Sequence, residues 1–300
     1  MRHVLTLIAD PARPVLDHSI VGGVAAALGE AGAEVGPADV LAPRVACDLL
    51  FDGMAPAAAE DAARIAIGRA PLDVAVQDCN ARRKRLLAAD MDATLIENEI
   101  VDEIADAAGL REKIAPITAR AVAGEIDFAA SLAERVALMK GLSADRYLAA
   151  MRAIRPMPGA RALMATMHAA GAHTMIISGG FRAFTAHVRD LLGMDEDVAN
   201  DVEISGGALT GRLIPPLVQR ERKAEVLRET AAAHGIEISE TLAVGDGAND
   251  VAMIRAAGLG VAFRAKPLAR NAAAVRIDHG DLTALLYLQG YRAGEIREEP

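Results

Sequence analysis

The chain has 300 residues, of which 52% are hydrophobic, so it can form two compact units or one large unit with an insertion. Its formal net charge is −9 at pH 7, and aromatic residues make up 3% of the sequence. Proteins that bind nucleic acid present basic surfaces and stacking rings, so nucleic acid is excluded as an expected partner. Cys47 and Cys79 lack zinc-ligand spacing, which argues against a disulfide framework and a structural zinc site.

The apolar stretches of the chain are short. Arg2 is followed by an apolar stretch that ends at Asp10, which is shorter than the apolar region of a signal peptide. Charges interrupt the alanine-rich segments well before the roughly 18 apolar residues that a membrane span needs. We therefore expect a soluble, cytoplasmic protein without a membrane partner.

The first predicted unit, residues 1–80, mixes strands and helices. In chain order it contains a strand, a helix, two strands, a helix and a strand: HVLTLIA, LDHSIVGGVAAALGEAG, EVGPADVLAP, RVACDLLFD, PAAAEDAARIAIGRA and DVAVQDC. This is a split β-α-β order, which predicts a small α+β fold. The polar segment CNARRKR then places the boundary of the unit near Asn80.

Strands and helices alternate in the second predicted unit, residues 81–300. The strands are RLLAA, HTMIIS, TLAVG and LGVAF, and a helical tail lies near DLTALLYLQGY. This alternation predicts an α/β fold in which helices cover both faces of a parallel sheet. Residues 99–155 contain amphipathic helices only, which predicts an inserted helical cap. Gly206 and Gly207, between two short apolar runs, predict a β-hairpin.

The strongest local motif is Asp90-Met91-Asp92-Ala93-Thr94, which directly follows the strand RLLAA. In open α/β sheets, ligands bind outside the carboxyl ends of the strands, so these two carboxylates face the expected site. Taken alone, the motif is also typical of a polar loop or of a helix N-cap.

Two further polar clusters follow later strands. Ser178 and Gly179 come after TMIIS and before FRAFTAHVRDLLG, where a helix start can hold an anion, although a serine N-cap is the alternative. Asp246, Asn249 and Asp250 follow TLAV in a glycine-rich loop that offers oxygen ligands to a hard cation, although such residues also form turns.

Lys223 lies at the start of a predicted helix, where a lone lysine is usually a solvated charge. Together the clusters indicate a functional site more strongly than any one of them does, because the carboxyl ends of parallel strands meet at one edge of a sheet. The sequence thus brings carboxylates, a hydroxyl, an amine and a cation-binding loop to one place.

These residues resemble the signature of the haloacid dehalogenase superfamily, which is DxDx(T/V), a strand-end Ser or Thr, a Lys and a strand-end acidic pair. The resemblance runs from about Arg83 to the C-terminus. Four segments are similar to the phosphoserine phosphatase family: DMDATLIENEIVDEIA, FAASLAERVALMKG, MIISGGF and AVGDGANDVAMI. Ala93 departs from the Ser common there, at a position that the signature leaves free. The resemblance implies a Rossmann-like core and hydrolysis of O-phospho-L-serine, the last step of serine biosynthesis.

The resemblance also implies a role for each motif residue. Asp90 would be the nucleophile that forms a phosphoryl-aspartate, and Asp92 would be the general acid and then the general base. Mg²⁺ would bind side-chain oxygens of Asp90 and Asp246 and the backbone carbonyl of Asp92. Asp250 and Asn249 would lie behind these ligands and orient them.

Substrate contacts are implied in the same way. Ser178, the Gly179 amide and Lys223 would hold the phosphoryl oxygens, with Asn249 beside them. Glu99 would meet the substrate ammonium group and Arg135 its carboxylate. The segment that resembles the apolar wall of the family's pocket contains Phe128 and Val122. Without the resemblance, Glu99 and Arg135 would be interpreted as solvated helix charges.

The element order of residues 1–80 resembles an ACT-type module, which implies a homodimer-forming or scaffolding role, or binding of an amino acid as feedback ligand. Three alternatives stay open for the second unit. It could transfer phosphate to another small alcohol such as homoserine, or hydrolyse another small phosphomonoester. A non-catalytic amino-acid-binding regulator is disfavoured by the intact Asp90, Asp92, Lys223 and Asp246.

Overall fold

The computed structural model describes residues 1–122 and 125–298, apart from the side chain of residue 122. The strands are β1 (His3–Ala9), β2 (Glu34–Ala42), β3 (Ala46–Asp52), β4 (Leu72–Asp78), β5 (Leu86–Ala89), β6 (His173–Phe181), β7 (Glu196–Ser205), β8 (Ala208–Ile214), β9 (Thr241–Gly245), β10 (Leu259–Phe263) and β11 (Val275–Ile277). The helices are α1 (His18–Glu30), α2 (Pro56–Ile67), α3 (Ile100–Ala108), α4 (Arg111–Val122), α5 (Phe128–Leu138), α6 (Ala144–Leu148), α7 (Ala160–Ala169), α8 (Arg182–Leu192), α9 (Arg220–Ala233), α10 (Val251–Ala256), α11 (Pro267–Ala272) and α12 (Ala284–Leu288).

Strands β1–β4 form an antiparallel sheet in the order β2-β3-β1-β4. Alternate side chains of β1 point to opposite faces of this sheet. Leu5 and Leu7 pack with Val24 and Leu28 of α1 and with Ala59 of α2, so both helices cover one face. The split β-α-β order and the α+β fold predicted for this segment are confirmed.

The opposite face of the small sheet packs against the rest of the chain. Ile8 and Ala75 on that face belong to the same apolar cluster as Leu285 and Tyr287, which lie in α12. Because both faces of β1 are covered, its sequence is almost continuously apolar instead of alternating.

The second sheet has seven strands in the order β11-β10-β9-β5-β6-β7-β8. Every neighbouring pair is parallel except β7 and β8. β5 is central and buried on both faces, with Leu87 and Ala89 in one apolar cluster and Leu86 and Ala88 in another. The expected parallel α/β core is confirmed, and its centre is the strand that leads into Asp90.

Helices α3–α6 and a 3-10 turn, Ala149–Ala153, lie between β5 and α7. A β-bridge between Ile96 and Pro156 joins the two chain segments at the base of this helical segment. Its apolar side chains, including Ile104, Leu132 and Val136, belong to the same cluster as β5. The helices therefore pack directly over the carboxyl end of the central strand.

Three local features refine the sequence predictions. The hairpin is confirmed, since β7 and β8 are joined at Gly206 and Gly207, whose φ angles are 59° and 78°. β6 continues to Phe181, three residues beyond the strand end expected at Ser178, and the helix expected from Phe181 begins at Arg182, so the serine N-cap alternative is wrong. The short strand β11 was not predicted. Among the described residues, no helix combines the length and apolar character of a membrane span.

Candidate active site

Three adjacent strands bring the predicted polar clusters together. Asp90 follows β5, Asp246 follows β9 and Ser178 lies near the end of β6, and these strands neighbour one another in the order β9-β5-β6. The three side chains are 4%, 6% and 1% exposed. Together with Glu99 and Arg135 from the helical segment, they line a cleft of about 120 Å³. The clusters thus share one site at the carboxyl edge of the sheet.

A fully buried ammonium group joins two of the aspartates. Lys223, in the first turn of α9, places Nζ 2.8 Å from Asp90 Oδ1 and 2.6 Å from Asp250 Oδ1. The amide nitrogen of Asn249 lies 3.4 Å from Asp90 Oδ2. The backbone N–H of Gly247 donates to Asp250 Oδ2 at 2.9 Å, which fixes that carboxylate. Lys223 is therefore an interior counter-ion and not a solvated charge.

Burial and the neighbouring carboxylates shift the pKa of Lys223 in opposite directions. Burial alone lowers the pKa of Lys223, but the Asp250 and Asp90 carboxylates outweigh it and the pKa is raised. Lys223 therefore stays protonated. Burial and the charge on Asp90 raise the pKa of Asp250, against the opposing effect of Lys223. Lys223 thus partly offsets the cost of burying the Asp90 and Asp250 carboxylates.

The surroundings of Asp92 differ from those of Asp90, although only one residue separates them. The chain turns sharply between them and Leu95: Asp92 is extended, and Ala93 has a φ of 52°, in the left-handed region. Burial, followed by the Glu99 and Asp90 charges, raises the pKa of Asp92 well above its ordinary value. The Ile100 N–H donates to Asp92 Oδ1 at 3.0 Å and fixes the carboxyl group. The site therefore pairs an aspartate held against the Lys223 ammonium with one whose surroundings favour the protonated form.

Carboxylate oxygens of Asp90, Asp246 and Asp250 lie within 4.8 Å of one another and can together hold a metal ion. All three residues are buried, and burial and the charge on Asp90 raise the pKa of Asp246. Clustered oxygen ligands with excess negative charge suit a hard divalent cation. The residues present therefore fit the bound cation that the sequence implied.

Lys266 was missed by the sequence analysis. Its Nζ lies 3.0 Å from Asp246 Oδ2 and 3.4 Å from Glu99 Oε1, and its backbone N–H donates to the Asp246 carbonyl at 2.8 Å. Burial lowers the pKa of Lys266, but the Asp246 and Glu99 carboxylates raise it by a larger amount. The net shift is upward, so the amine carries its charge. The one signal in the sequence was its place just after the apolar strand LGVAF.

Ser178 and its glycine neighbours form a close-packed segment in the last part of β6. Ser178 Oγ accepts the Gly180 N–H at 2.9 Å, and the Gly179 carbonyl accepts the Asn200 side-chain N–H at 2.8 Å. A Cβ atom on Gly179 would lie 2.5 Å from the Phe128 ring, so this position admits only glycine while the ring stays in place. Phe128 thus lies against Gly179, in agreement with the pocket-wall position that the resemblance implied.

Glu99 and Arg135 face the cleft from the helical segment. Arg135 Nε donates to the Ser131 carbonyl at 3.2 Å, and among the described residues its other guanidinium nitrogens have no hydrogen-bond partner. Burial lowers the pKa of Arg135, and the Glu99 and Asp102 charges oppose that effect. A cationic and an anionic side chain therefore line one small cleft, beside Phe128. The side chain of Val122, the other predicted wall residue, lies outside the described residues.

Sequence comparison matches residues 87–255 to haloacid dehalogenase-like hydrolase. This is more than half of the chain, and its motif residues meet in the cleft described above. The chain therefore belongs to the haloacid dehalogenase-like hydrolase family.

Two curated relatives and one solved structure are similar to the chain. Phosphoserine phosphatase SerB2 of Mycobacterium tuberculosis is 42% identical over 227 residues, which are 75% of this chain and 56% of that protein. A phosphoserine phosphatase of Streptomyces coelicolor is 37% identical over 299 residues, which are 98% of this chain and 72% of that protein. A structure described as a phospho-aspartyl intermediate analogue of phosphoserine phosphatase has a TM-score of 0.65 at 36% identity, covering 68% of this chain and 98% of its own.

Proposed function

We propose that the chain is a Mg²⁺-dependent phosphatase that converts O-phospho-L-serine and water to L-serine and phosphate through a phosphoryl-aspartate on Asp90. The observation that carries this proposal is the contrast between Asp90, paired with Lys223, and Asp92, whose pKa is raised well above its usual range. One carboxylate is ready to attack, and its neighbour holds the proton that the leaving group needs.

In the first step, an Asp90 carboxylate oxygen attacks phosphorus while the bond from phosphorus to the serine oxygen breaks. Asp92 gives its proton to that departing oxygen, so serine leaves as a neutral alcohol. Ser178, the Gly179 amide and Lys223 hold the phosphoryl oxygens, whose charge is spread over three atoms in the transition state. Removal of one such donor typically raises the barrier by about 3 kcal/mol.

In the second step, the acyl phosphate on Asp90 is hydrolysed. Asp92, now ionised, takes a proton from a water molecule as the water oxygen attacks phosphorus. The bond between phosphorus and the Asp90 oxygen breaks, phosphate leaves, and both aspartates return to their starting protonation states. Asp92 thus acts first as acid and then as base, which requires that it stay next to the phosphoryl group in both steps.

Mg²⁺ would be held by side-chain oxygens of Asp90 and Asp246 and by the Asp92 carbonyl, and would neutralise phosphoryl charge while keeping Asp90 ionised. The buried acidic cluster supports a hard cation at this place. Asn249 and Asp250 orient the ligands, Asn249 through Asp90 and Asp250 through Lys223.

Glu99 and Arg135 would select the substrate. Phosphoserine carries an ammonium group and a carboxylate on a short stem, and the cleft offers one carboxylate and one guanidinium. The two curated relatives are phosphoserine phosphatases, which supports the same substrate for this chain.

The proposal extends to the whole chain. Residues 1–80 would form an ACT-like domain that pairs two chains, and residues 81–300 a cytoplasmic phosphatase domain whose cap is residues 99–155. Two separate sheets and the helices α3–α6 support this division. Light scattering after size exclusion tests the pairing.

The proposed reaction is tested by phosphate release from a panel of small phosphomonoesters with Mg²⁺. Wild type should release phosphate fastest from phosphoserine, with or without added homoserine, because water is the acceptor. Asp90→Asn should reduce release to background, whereas Asp61→Asn, an exposed aspartate on α2, should leave it unchanged. Full activity of Asp90→Asn would refute the covalent scheme.

The substrate assignment needs its own test. Arg135→Ala should raise KM for phosphoserine far more than KM for p-nitrophenyl phosphate. Only phosphoserine has a carboxylate, and this variant removes the guanidinium that would bind it. Equal losses on both substrates would remove the basis for naming phosphoserine and would leave a general small-molecule phosphatase.

A further inference from the structure

Three of the seven histidines gather at the edge of the large sheet that faces away from the catalytic cleft. His173 begins β6, His168 lies in the last turn of α7, and His234 directly follows α9. They line an open cleft of about 580 Å³ at the amino ends of the parallel strands. The proposed phosphatase mechanism uses none of these residues.

His173 lies between two carboxylates. Its Nδ1 is 3.6 Å from Asp195 Oδ2, and its Nε2 is 3.7 Å from Glu196 Oε2. Nε2 is buried and has no hydrogen-bond partner among the described residues. An imidazole nitrogen in such a place normally finds a partner, because an unsatisfied buried polar atom is unfavourable. This nitrogen is therefore available to a ligand.

His234 and Glu196 lie beside that nitrogen. The rings of His173 and His234 stack with centroids 4.0 Å apart, and His234 Nε2 is 4.0 Å from Glu196 Oε1. One potential ligand atom from each of the three residues lies within 4.8 Å of the others. Neighbouring ligand atoms around tetrahedral Zn²⁺ are about 3.3 Å apart, so metal binding would draw these atoms together and would require the His234 ring, whose side chain is 41% exposed, to rotate out of the stack.

Asp195 occupies the position behind His173. Its Oδ2 accepts the Thr174 N–H at 2.8 Å and lies 3.1 Å from His168 Nε2. A histidine that binds a metal commonly donates its other ring N–H to such a carboxylate, which fixes the ring and its tautomer.

We propose that His173, His234 and Glu196 form a binding site for a divalent transition metal of the Zn²⁺ class, with Asp195 orienting His173. Imidazole ligands select this class over Mg²⁺, which prefers oxygen ligands alone. Three protein ligands leave a fourth position open to water from the cleft. The metal would tie the starts of β6 and β7 to the end of α9, and would thereby stabilise the amino edge of the sheet.

Calorimetric titration of the full chain with Zn²⁺, in excess Mg²⁺, tests this site. Wild type should bind one Zn²⁺ there, and His234→Ala and Glu196→Gln should each weaken the affinity about tenfold or more. His187→Ala, which removes an exposed histidine on α8, should bind like wild type. The Tm of wild type should rise with Zn²⁺, and the Tm of the two site variants should not.

Asp246→Asn separates this site from the catalytic one. Zn²⁺ binding should persist in Asp246→Asn if the metal lies among the histidines, and its loss there would overturn the proposal. Failure of wild type to bind Zn²⁺, or equal affinity in wild type and Glu196→Gln, would also overturn it. Glu196→Gln keeps the side-chain volume, so it provides the comparison even if His234→Ala does not fold.

Discussion

At the scale of single residues, the two aspartates of the motif differ because of what touches them. Asp90 lies 2.8 Å from the Lys223 ammonium, whereas burial, followed by the Glu99 and Asp90 charges, raises the pKa of Asp92. The sequence could place both carboxylates at a strand end, since that position follows from the strand pattern. It could not reveal the protonation difference, which depends on the burial created by the helical segment.

Asp92→Asn tests the role of that proton. The amide cannot protonate a serine oxygen, so kcat/KM for phosphoserine should fall by about 10² to 10⁴. p-Nitrophenolate leaves without a proton, so kcat/KM for p-nitrophenyl phosphate should fall much less. Steady-state kinetics on both substrates measure the difference. A loss of equal size on both substrates would contradict the assignment of Asp92 as the general acid.

The same substitution predicts a pH-dependent change in stability. The unfolded chain releases the Asp92 proton near pH 4, whereas the folded chain holds it to higher pH because the pKa is raised. The folded state then binds more protons, so its free energy of unfolding decreases as pH rises through this window. Asp92→Asn removes that decrease, and its stability relative to wild type should grow with pH. Urea midpoints in EDTA, taken from pH 4 upward, check this; a constant difference would contradict it.

Lys266 is a residue of the site that was not predicted from the sequence. It lies in a polar segment after β10, and such lysines are usually solvated. Its contacts with Asp246 and Glu99 join three segments that are distant in sequence. Only the tertiary arrangement brings them together, so no local pattern could have revealed it.

At the scale of elements, the contact between Phe128 and Gly179 connects the helical segment to the sheet. Phe128 begins α5, where Asp127 caps the helix by accepting the Ala130 N–H at 2.7 Å. Gly179 lies in the last part of β6, which pairs with β7 as far as Phe181. That long-range pairing explains why β6 extends to Phe181, past the strand end expected at Ser178, before α8 starts at Arg182.

Gly179→Ala should displace Phe128, because the new Cβ would lie 2.5 Å from its ring. The cap would then close less well, and we expect kcat/KM for phosphoserine to fall by about tenfold to 10². Adding Phe128→Ala should recover part of this loss by removing the clash. Gly29→Ala, which meets no atom within 4 Å, is the matched control. Independent, additive effects of Gly179→Ala and Phe128→Ala would contradict the contact.

At the scale of the molecule, the small sheet docks on the phosphatase core through one of its faces. Arg82 donates to Asp48 Oδ2 at 2.7 Å and to the Tyr287 and Leu288 carbonyls, and it links β3 of the small sheet to α12. Asp73 accepts the Asp278 N–H at 2.7 Å across the same contact. The sequence predicted both element orders but not their docking, because such charged residues look like ordinary surface residues.

Arg82→Met should weaken this docking. The guanidinium is 15% exposed and Asp48 4%, so the substitution would leave a buried carboxylate without its partner and cost about 3–5 kcal/mol. Arg292→Met breaks another link between the same parts, to Asp39, but both groups are about half exposed and solvent screens the pair. Urea unfolding should show a large loss for Arg82→Met and a small one for Arg292→Met. Equal midpoints would contradict the structural role of Arg82.

The most direct test of the whole scheme is to trap the covalent intermediate. Enzyme mixed with phosphoserine and Mg²⁺ is quenched within one turnover and reduced with borohydride, which converts an aspartyl phosphate to homoserine. Peptide mass analysis should locate this change at residue 90 in wild type, and should find none without substrate or in Asp90→Asn. Modification of a different residue, or turnover without any trapped species, would contradict a phosphoryl-enzyme on Asp90.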